Sequence, residues 1–136
     1  ALLLKPDDGG PHLVLGRIAV FYGEFERALA EFDTAVLLEP KNPVPYFWRG
    51  RFFSNMNEFG FAIADLSKAI EISPVMASAY LERGAIFLHS IGDLVQAERD
   101  IQEALDRAND PRIPIVYRKA QDMLKELNNT KQQAIK

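Results

Sequence analysis

Residues 24–40 read EFERALAEFDTAVLLEP and residues 58–74 read EFGFAIADLSKAIEISP, with alanines and a closing proline at matching places 34 residues apart. The same step separates the members of three sets: Pro6, Pro40 and Pro74; Gly16, Gly50 and Gly84; Ala1, Ala35 and Ala69. A fixed period of this length, with small residues and prolines in phase, is typical of a repeat protein and not of a single globular core. The period therefore limits both the fold and the kind of function to expect.

The spacing inside a unit predicts helices. Ala28, Phe32 and Ala35 are four and three residues apart, which places them on one face of a helix. Pro40 ends that helix, because the residue before a proline disfavours the helical conformation. The units that begin further along the chain repeat this order.

Glycines occupy two kinds of position. Gly16 lies inside the first predicted helix, where glycine costs about 1 kcal/mol relative to alanine. We therefore expect the two helices of a unit to approach closely at Gly16 and at its equivalents Gly50 and Gly84. A second set lies where the chain turns between helices and suits a left-handed backbone: Gly23, Asn57 and Gly92.

Seven helices are predicted. The first helices of the units are expected over 11–22, 44–56 and 77–90, and the second helices over 25–38, 59–72 and 94–107. A seventh, over 114–128, is apolar on one face and polar elsewhere, as a helix that covers the end of a repeat array should be. Residues 129–136 have too little apolar content to pack, so we expect them to fray.

These residues resemble the tetratricopeptide repeat, a helix–turn–helix unit of this period. The resemblance implies an all-α, right-handed superhelical solenoid of antiparallel helix pairs, with a C-terminal capping helix at 111–128. Three repeats are expected, at 9–42, 43–76 and 77–110. Residues 1–6 match residues 35–40 in phase and look like the tail of a preceding repeat, so we expect at least one more unit upstream.

Two places depart from the family pattern. His12 stands where the family usually has an aromatic residue. Gly84 and Gly92 are eight residues apart, whereas Gly16 and Gly23 are seven apart, so the third unit carries one extra residue before its turn.

The composition limits the class of protein. The chain has 136 residues, 48% of them hydrophobic, and a net charge of −3 from 19 acidic and 16 basic residues. These values fit a soluble domain and give no overall attraction for nucleic acid.

No apolar run approaches the roughly 20 residues of a membrane span, so no membrane insertion is expected. The chain lacks cysteine, which excludes disulfides and thiol catalysis and fits a reducing compartment, and we expect a cytoplasmic protein. The start without methionine suggests a fragment.

No residue pattern predicts catalysis, a cofactor or a metal ion. His12 and His89 lie in different units and lack a cysteine or an HExxH partner. Gly9 and Gly10 are not followed by the GxxxxGK[ST] pattern that holds phosphates. The acidic residues are spread along the helices, as on solvated faces. We therefore expect a protein that is not an enzyme.

The family resemblance implies a binding surface instead. In this family the first helices line a concave groove that commonly binds a peptide. Carried over by position, the predicted partner-binding residues are Leu13, Arg17, Phe47, Trp48, Arg51, Leu81 and Glu82.

Trp48 is the most informative of these residues. It lies two positions before Gly50, about 200° around the helix, so it should not share the packing face of the glycine. An exposed tryptophan beside basic residues is a good anchor for a partner, although Trp48 could instead cover a neighbouring helix. Arg17 and Arg51 match each other one unit apart, and they could contact ligand carboxylates or phosphates or pair with acids of the same chain.

The resemblance also argues against one subfamily. Chaperone-tail binders hold a terminal carboxylate with Lys, Asn, Asn, Lys and Arg, and the matching positions here are Leu13, Arg17, Trp48, Ser78 and Glu82. Only Arg17 is basic, so a carboxylate clamp is not expected.

We predict a non-enzymatic scaffold whose partner is a protein or peptide, acidic with apolar anchors. The alternative is a regulatory or substrate-recruiting segment of a larger enzyme. RNA binding is disfavoured because the equivalent residues Val14, Trp48 and Glu82 differ in type.

Overall fold

A computed structural model describes residues 8–108, 112 and 114–135, and the predicted tail of a preceding repeat at 1–6 lies outside these residues. The described residues form seven α-helices and one short π-helical segment, and they contain no strand. The helices are α1 (Gly10–Phe21), α2 (Phe25–Leu38), α3 (Pro43–Asn55), α4 (Phe59–Ile72), α5 (Ala77–Ile86), α6 (Leu94–Arg107) and α7 (Pro114–Ile135), with the π-helical segment at Phe87–Ile91. They fall into two compact units, one with α1–α4 and one with α5–α7.

In the unit of α1–α4, the residues predicted to share a helical face form the core. Ala28, Phe32 and Ala35 of α2 are all buried. The rings of Phe32 and Phe52, on α2 and α3, have their centroids 5.8 Å apart. The helix of one repeat is thus fixed to the next by aromatic packing, which is worth about 0.5–1.5 kcal/mol beyond the area it buries.

The predicted close approach at the glycines is confirmed. A Cβ atom added to Gly16 would lie 2.7 Å from the ring of Phe32, and one added to Gly50 would lie 3.0 Å from Cγ of Leu66. In the unit of α5–α7, a Cβ atom on Gly84 would lie 3.1 Å from Cβ of Asp100. These distances leave little or no room for a side chain, which is why glycine occurs inside the first helix of each pair.

The predicted turns are also confirmed. Gly23, Asn57 and Gly92 have φ angles of 74°, 61° and 81°. This left-handed conformation is open to glycine and, among other residues, mainly to asparagine and aspartate. It reverses the chain, so the next helix begins two residues further on.

The extra residue of the third unit lies in the π-helical segment. The amide of Gly92 donates a hydrogen bond to the carbonyl of Phe87, five residues earlier, at 2.8 Å. A π-helical turn of this kind accommodates one additional residue within a helix. The turn geometry at Gly92 is therefore the same as in the other units, although α5 ends as an α-helix at Ile86 rather than continuing to residue 90.

Helix α7 packs against α6, and Leu127 is fully buried with Leu88, Ala97 and Ile101. The prediction of a frayed tail at 129–136 was wrong for residues 129–135, which continue α7 to Ile135. Thr130 Oγ1 donates a hydrogen bond to the carbonyl of Glu126 at 2.9 Å, and Lys131 pairs with Glu98 of α6. Lysine, glutamine and alanine also favour helices, so polar contacts and propensity replace the apolar packing that the tail lacks.

Candidate functional site

Trp48 lies at the centre of the candidate site. It is half-buried on α3 and packs against the buried cluster that contains Ala19, Phe32 and Phe52. Its ring meets that of Phe47 edge-on, at 5.5 Å between centroids. Trp48 thus packs on the core cluster and also lines an open pocket, and its role as an anchor for a partner stays a prediction.

Two guanidinium groups lie over this indole. Cζ of Arg17, on α1, is 4.0 Å from the centroid of the Trp48 ring, and Cζ of Arg51, on α3, is 5.1 Å from it. A cation over an indole face is attracted by about 0.5–1 kcal/mol at an exposed site. Stacking also leaves the N–H groups at the edge of a guanidinium directed away from the ring, so the edge remains able to bind an acceptor.

These residues surround a pocket of 270 Å³ between α1, α2 and α3. Apolar side chains form its floor and two arginines and an asparagine its polar groups; the lining residues are Arg17, Val20, Phe21, Phe32, Trp48, Arg51, Phe52 and Asn55. We call this the Trp48 pocket. The pocket thus places apolar surface beside two guanidinium groups and one amide.

The predicted binding residues divide into three groups. Arg17, Trp48 and Arg51 come together at the Trp48 pocket. Leu13 is half-buried against the core cluster, and Phe47 and Leu81 are each only 7% exposed, so they present little surface to a partner. Glu82 is half-buried in the other unit.

Sequence reasoning missed two ion pairs that fix first helices to second helices. Nε and Nη2 of Arg49 bind the two carboxylate oxygens of Asp65 at 2.8 and 2.9 Å. Arg83 binds Asp100 in the same way, at 2.8 and 2.7 Å. These hydrogen bonds to a carboxylate raise the pKa of each arginine above its usual value, against the opposing effect of burial.

A periodic signal for these pairs is present in the sequence. Arg49 and Arg83 are 34 residues apart, and each directly precedes a glycine of the close approach. Asp65 and Asp100 are 35 residues apart because the extra residue of the π-helical segment lies between them. In the first repeat, the positions equivalent to Arg49 and Asp65 are occupied by Leu15 and Glu31.

The histidines form contacts with single carboxylates. Nδ1 of His12 is 2.7 Å from Glu31, and Nε2 of His89 is 2.9 Å from Glu126. Within residues 8–108, 112 and 114–135, no group of three or more histidine, cysteine or acidic side chains is placed to hold a metal ion. None of the helices in this part of the chain has the length and apolar content needed to cross a membrane.

Comparison with known proteins agrees with this geometry. Residues 45–75 match the family model of the tetratricopeptide repeat. Solved structures that resemble the chain include the TPR domains of P58(IPK), Arabidopsis OM64 and RPAP3. The chain therefore has the all-α fold of a tetratricopeptide repeat domain. A search of curated proteins finds no significant match.

Three of these solved structures illustrate the likeness. The P58(IPK) TPR domain is 27% identical, with a TM-score of 0.79 over 91% of this chain, and this chain covers 33% of its length. The Yersinia enterocolitica type III secretion chaperone SycD, in complex with a peptide of the translocator YopD, is 19% identical, with a TM-score of 0.82 over 90% of this chain and 93% of that one. The first TPR of Spaghetti (RPAP3), bound to the HSP90 peptide SRMEEVD, is 18% identical, with a TM-score of 0.80 over 97% and 99%. At identities of 18 and 19% the likeness shows the fold.

Proposed function

We propose that this chain is a non-enzymatic protein-interaction scaffold that binds a peptide or a partner protein at the Trp48 pocket. The tetratricopeptide fold supports this proposal, because two structures that resemble the chain contain bound peptides, SycD with a YopD peptide and RPAP3 with an HSP90 peptide. A location in the cytoplasm remains a prediction from the cysteine-free sequence.

One observation carries the proposal: two guanidinium groups lie over a single half-buried indole at the mouth of an apolar pocket. A tryptophan ring supplies a large and rigid contact area. Tryptophan and arginine are also enriched among the residues that dominate binding energy. The fold holds Trp48 by packing on one side. A partner that covers the other side therefore meets a pre-organised surface.

The charges favour a ligand with an acidic residue beside an apolar one. Arg17 is exposed and forms no ion pair with another described residue, so its stacked guanidinium can bind a ligand carboxylate through two parallel hydrogen bonds. Asn55, at the edge of the pocket, can donate to or accept from a peptide backbone. We propose that the apolar side chain of the ligand enters the pocket and that its acidic neighbour contacts Arg17 and Arg51.

We propose that this surface is not a chaperone-tail carboxylate clamp. The five positions that carry the clamp in that subfamily are Leu13, Arg17, Trp48, Ser78 and Glu82 here. Only Arg17 among these five residues is basic, so the set supplies one cation where the clamp of that subfamily has three. We therefore propose an internal acidic and apolar segment as the ligand, and we keep Leu13, Phe47, Leu81 and Glu82 as predicted contacts of lower rank.

Selection from a displayed library of random peptides tests this function without a known partner. Acidic peptides that enrich on the wild-type chain are measured for affinity against Trp48→Ala and against Leu37→Ala, which removes an apolar side chain that is 80% exposed on α2. We expect Leu37→Ala to bind as the wild type does and Trp48→Ala to lose about 2 kcal/mol, the size of a hot-spot truncation. Equal affinity for both variants, or no enriched peptide at all, would contradict the proposal.

A further inference from the structure

The unit of α1–α4 carries a second apolar surface. Phe52 is the one lining residue that this surface shares with the Trp48 pocket. Phe25 of α2, Phe53 and Met56 of the α3 end and Phe61 of α4 line a groove of 310 Å³, which we call the aromatic groove. The rings of Phe53 and Phe61 lie 5.3 Å apart. Phe61 is 62% exposed, Phe25 45% and Met56 40%.

The other repeats have polar residues at the position of Phe61. Phe61 is the third residue of α4, and the third residues of α2 and α6 are Arg27 and Gln96. Both of these equivalent residues are polar, and the Arg27 side chain is 60% exposed. The position therefore faces outward in the helix pair, and a phenylalanine there adds apolar surface that the fold leaves uncovered. A contiguous exposed apolar surface of this kind marks an interaction site.

The charges beside the groove select its ligand. Glu26 and Glu58 line it, and the other described residues of its lining are uncharged. Within the described ranges, neither carboxylate takes part in an ion pair. Arg27 lines the adjacent cavity beside Glu26, but it pairs with Glu24 at 3.4 Å. The lining of the aromatic groove thus carries two carboxylates, whereas that of the Trp48 pocket carries two arginines. Like charges placed opposite each other across an interface suppress binding, and opposite charges steer it.

We propose that the aromatic groove binds a basic segment of a partner protein. In this arrangement an apolar side chain of the segment lies between Phe25 and Phe61, and lysine or arginine side chains on either side of it pair with Glu26 and Glu58. An anionic membrane surface is disfavoured by the same two carboxylates. The two surfaces of this unit therefore take segments of opposite charge, either from one partner or from two.

The test uses the intact chain and a displayed library of random peptides. The substitutions Phe61→Gln and Phe61→Arg install the residue types found at the equivalent positions 96 and 27. Because Phe61 is exposed, both variants should keep the melting temperature and circular dichroism of the wild type. Peptides that enrich on the wild type but not on Phe61→Gln are synthesised, and their affinities are measured by fluorescence anisotropy at two salt concentrations.

We expect these peptides to be rich in lysine and arginine, to bind Phe61→Gln and Phe61→Arg at least about tenfold more weakly, and to weaken as salt is raised. Trp48→Ala should bind them as the wild type does, which separates this surface from the Trp48 pocket. The proposal is overturned if no peptide depends on Phe61, or if the dependent peptides are acidic. Sedimentation of the free chain gives a further check, because a dimer that Phe61→Gln abolishes would assign the groove to a second copy instead.

Discussion

Arg17 and Trp48 lie on different helices of the chain, and Cζ of Arg17 is 4.0 Å from the centroid of the Trp48 ring. Arg51 is the equivalent of Arg17 one period later in the sequence. Its Cζ is 5.1 Å from the centroid of the same Trp48 ring. The equivalent arginines of two successive repeats thus contact the same tryptophan ring. This contact joins the first helices of successive units and places both cations at the edge of one apolar pocket.

The ion pairs of Arg49 allow a matched test of buried and exposed charge. Asp65 binds this arginine in a fork and its side chain is 9% exposed, whereas Asp33 binds it once, at 3.0 Å, and is 55% exposed. We predict that Asp65→Ala lowers the free energy of unfolding by about 3 kcal/mol, as expected when one partner of a buried pair is removed. Asp33→Ala should lower it by no more than about 1 kcal/mol. Urea unfolding measures both, and equal losses would show that the fork does not hold α3 to α4.

The glycines of the close approach give a second prediction. Gly50→Leu should lower the free energy of unfolding by about 1–3 kcal/mol, because a Cβ atom there would lie 3.0 Å from Leu66 and 3.3 Å from the carbonyl of Ala62. The control is Gly60→Leu on α4, where a Cβ atom would meet nothing within 4 Å. The control should change stability by no more than about 0.5 kcal/mol. A Gly50→Leu variant that melts with the wild type would refute the close approach.

The last helix gives a third prediction. Leu127 is fully buried on α7 against α6, and its replacement by alanine should cost about 2–5 kcal/mol through lost burial and a cavity. Ile135 is 85% exposed near the end of the same helix, so Ile135→Ala should leave stability within about 0.5 kcal/mol of the wild type. If both variants unfold at the same urea concentration as the wild type, α7 does not stabilise the unit of α5–α7.

The second helices could be predicted almost to the residue. The ranges 25–38, 59–72 and 94–107 are those of α2, α4 and α6, because Gly23, Asn57 and Gly92 fix where each helix starts. The sequence indicated an extra residue before Gly92, but it did not indicate that this residue lies in a π-helical segment at Phe87–Ile91. Whether one more residue lengthens a loop or forms a π-helical turn depends on which side chains, such as Leu88, must stay buried.

The candidate site was predictable only in part. Helical geometry indicated that Trp48 faces away from Gly50, and the period brought Arg17 and Arg51 into register. The period could not show that both arginines stack on one indole, because stacking depends on the distance between α1 and α3. Asp65 and Asp100 were overlooked because charged residues on a helix are usually solvated, and only tertiary packing shows that these two are buried.

The fluorescence of Trp48 reports most directly on the proposed binding site, because it is the single tryptophan of the chain. Library peptides that bind the wild type and Phe61→Gln equally well, and so do not use the aromatic groove, are titrated into the wild type while the emission of Trp48 is recorded. Their affinities for Trp48→Ala are measured by anisotropy of a dye on the peptide. We predict a saturable shift of the emission and an affinity about 30-fold weaker for Trp48→Ala, with the helical circular dichroism unchanged. Peptides that bind without changing the emission, and bind Trp48→Ala equally well, would show that partners dock elsewhere. Loss of the folded state in Trp48→Ala would show that the tryptophan serves the core and not a partner.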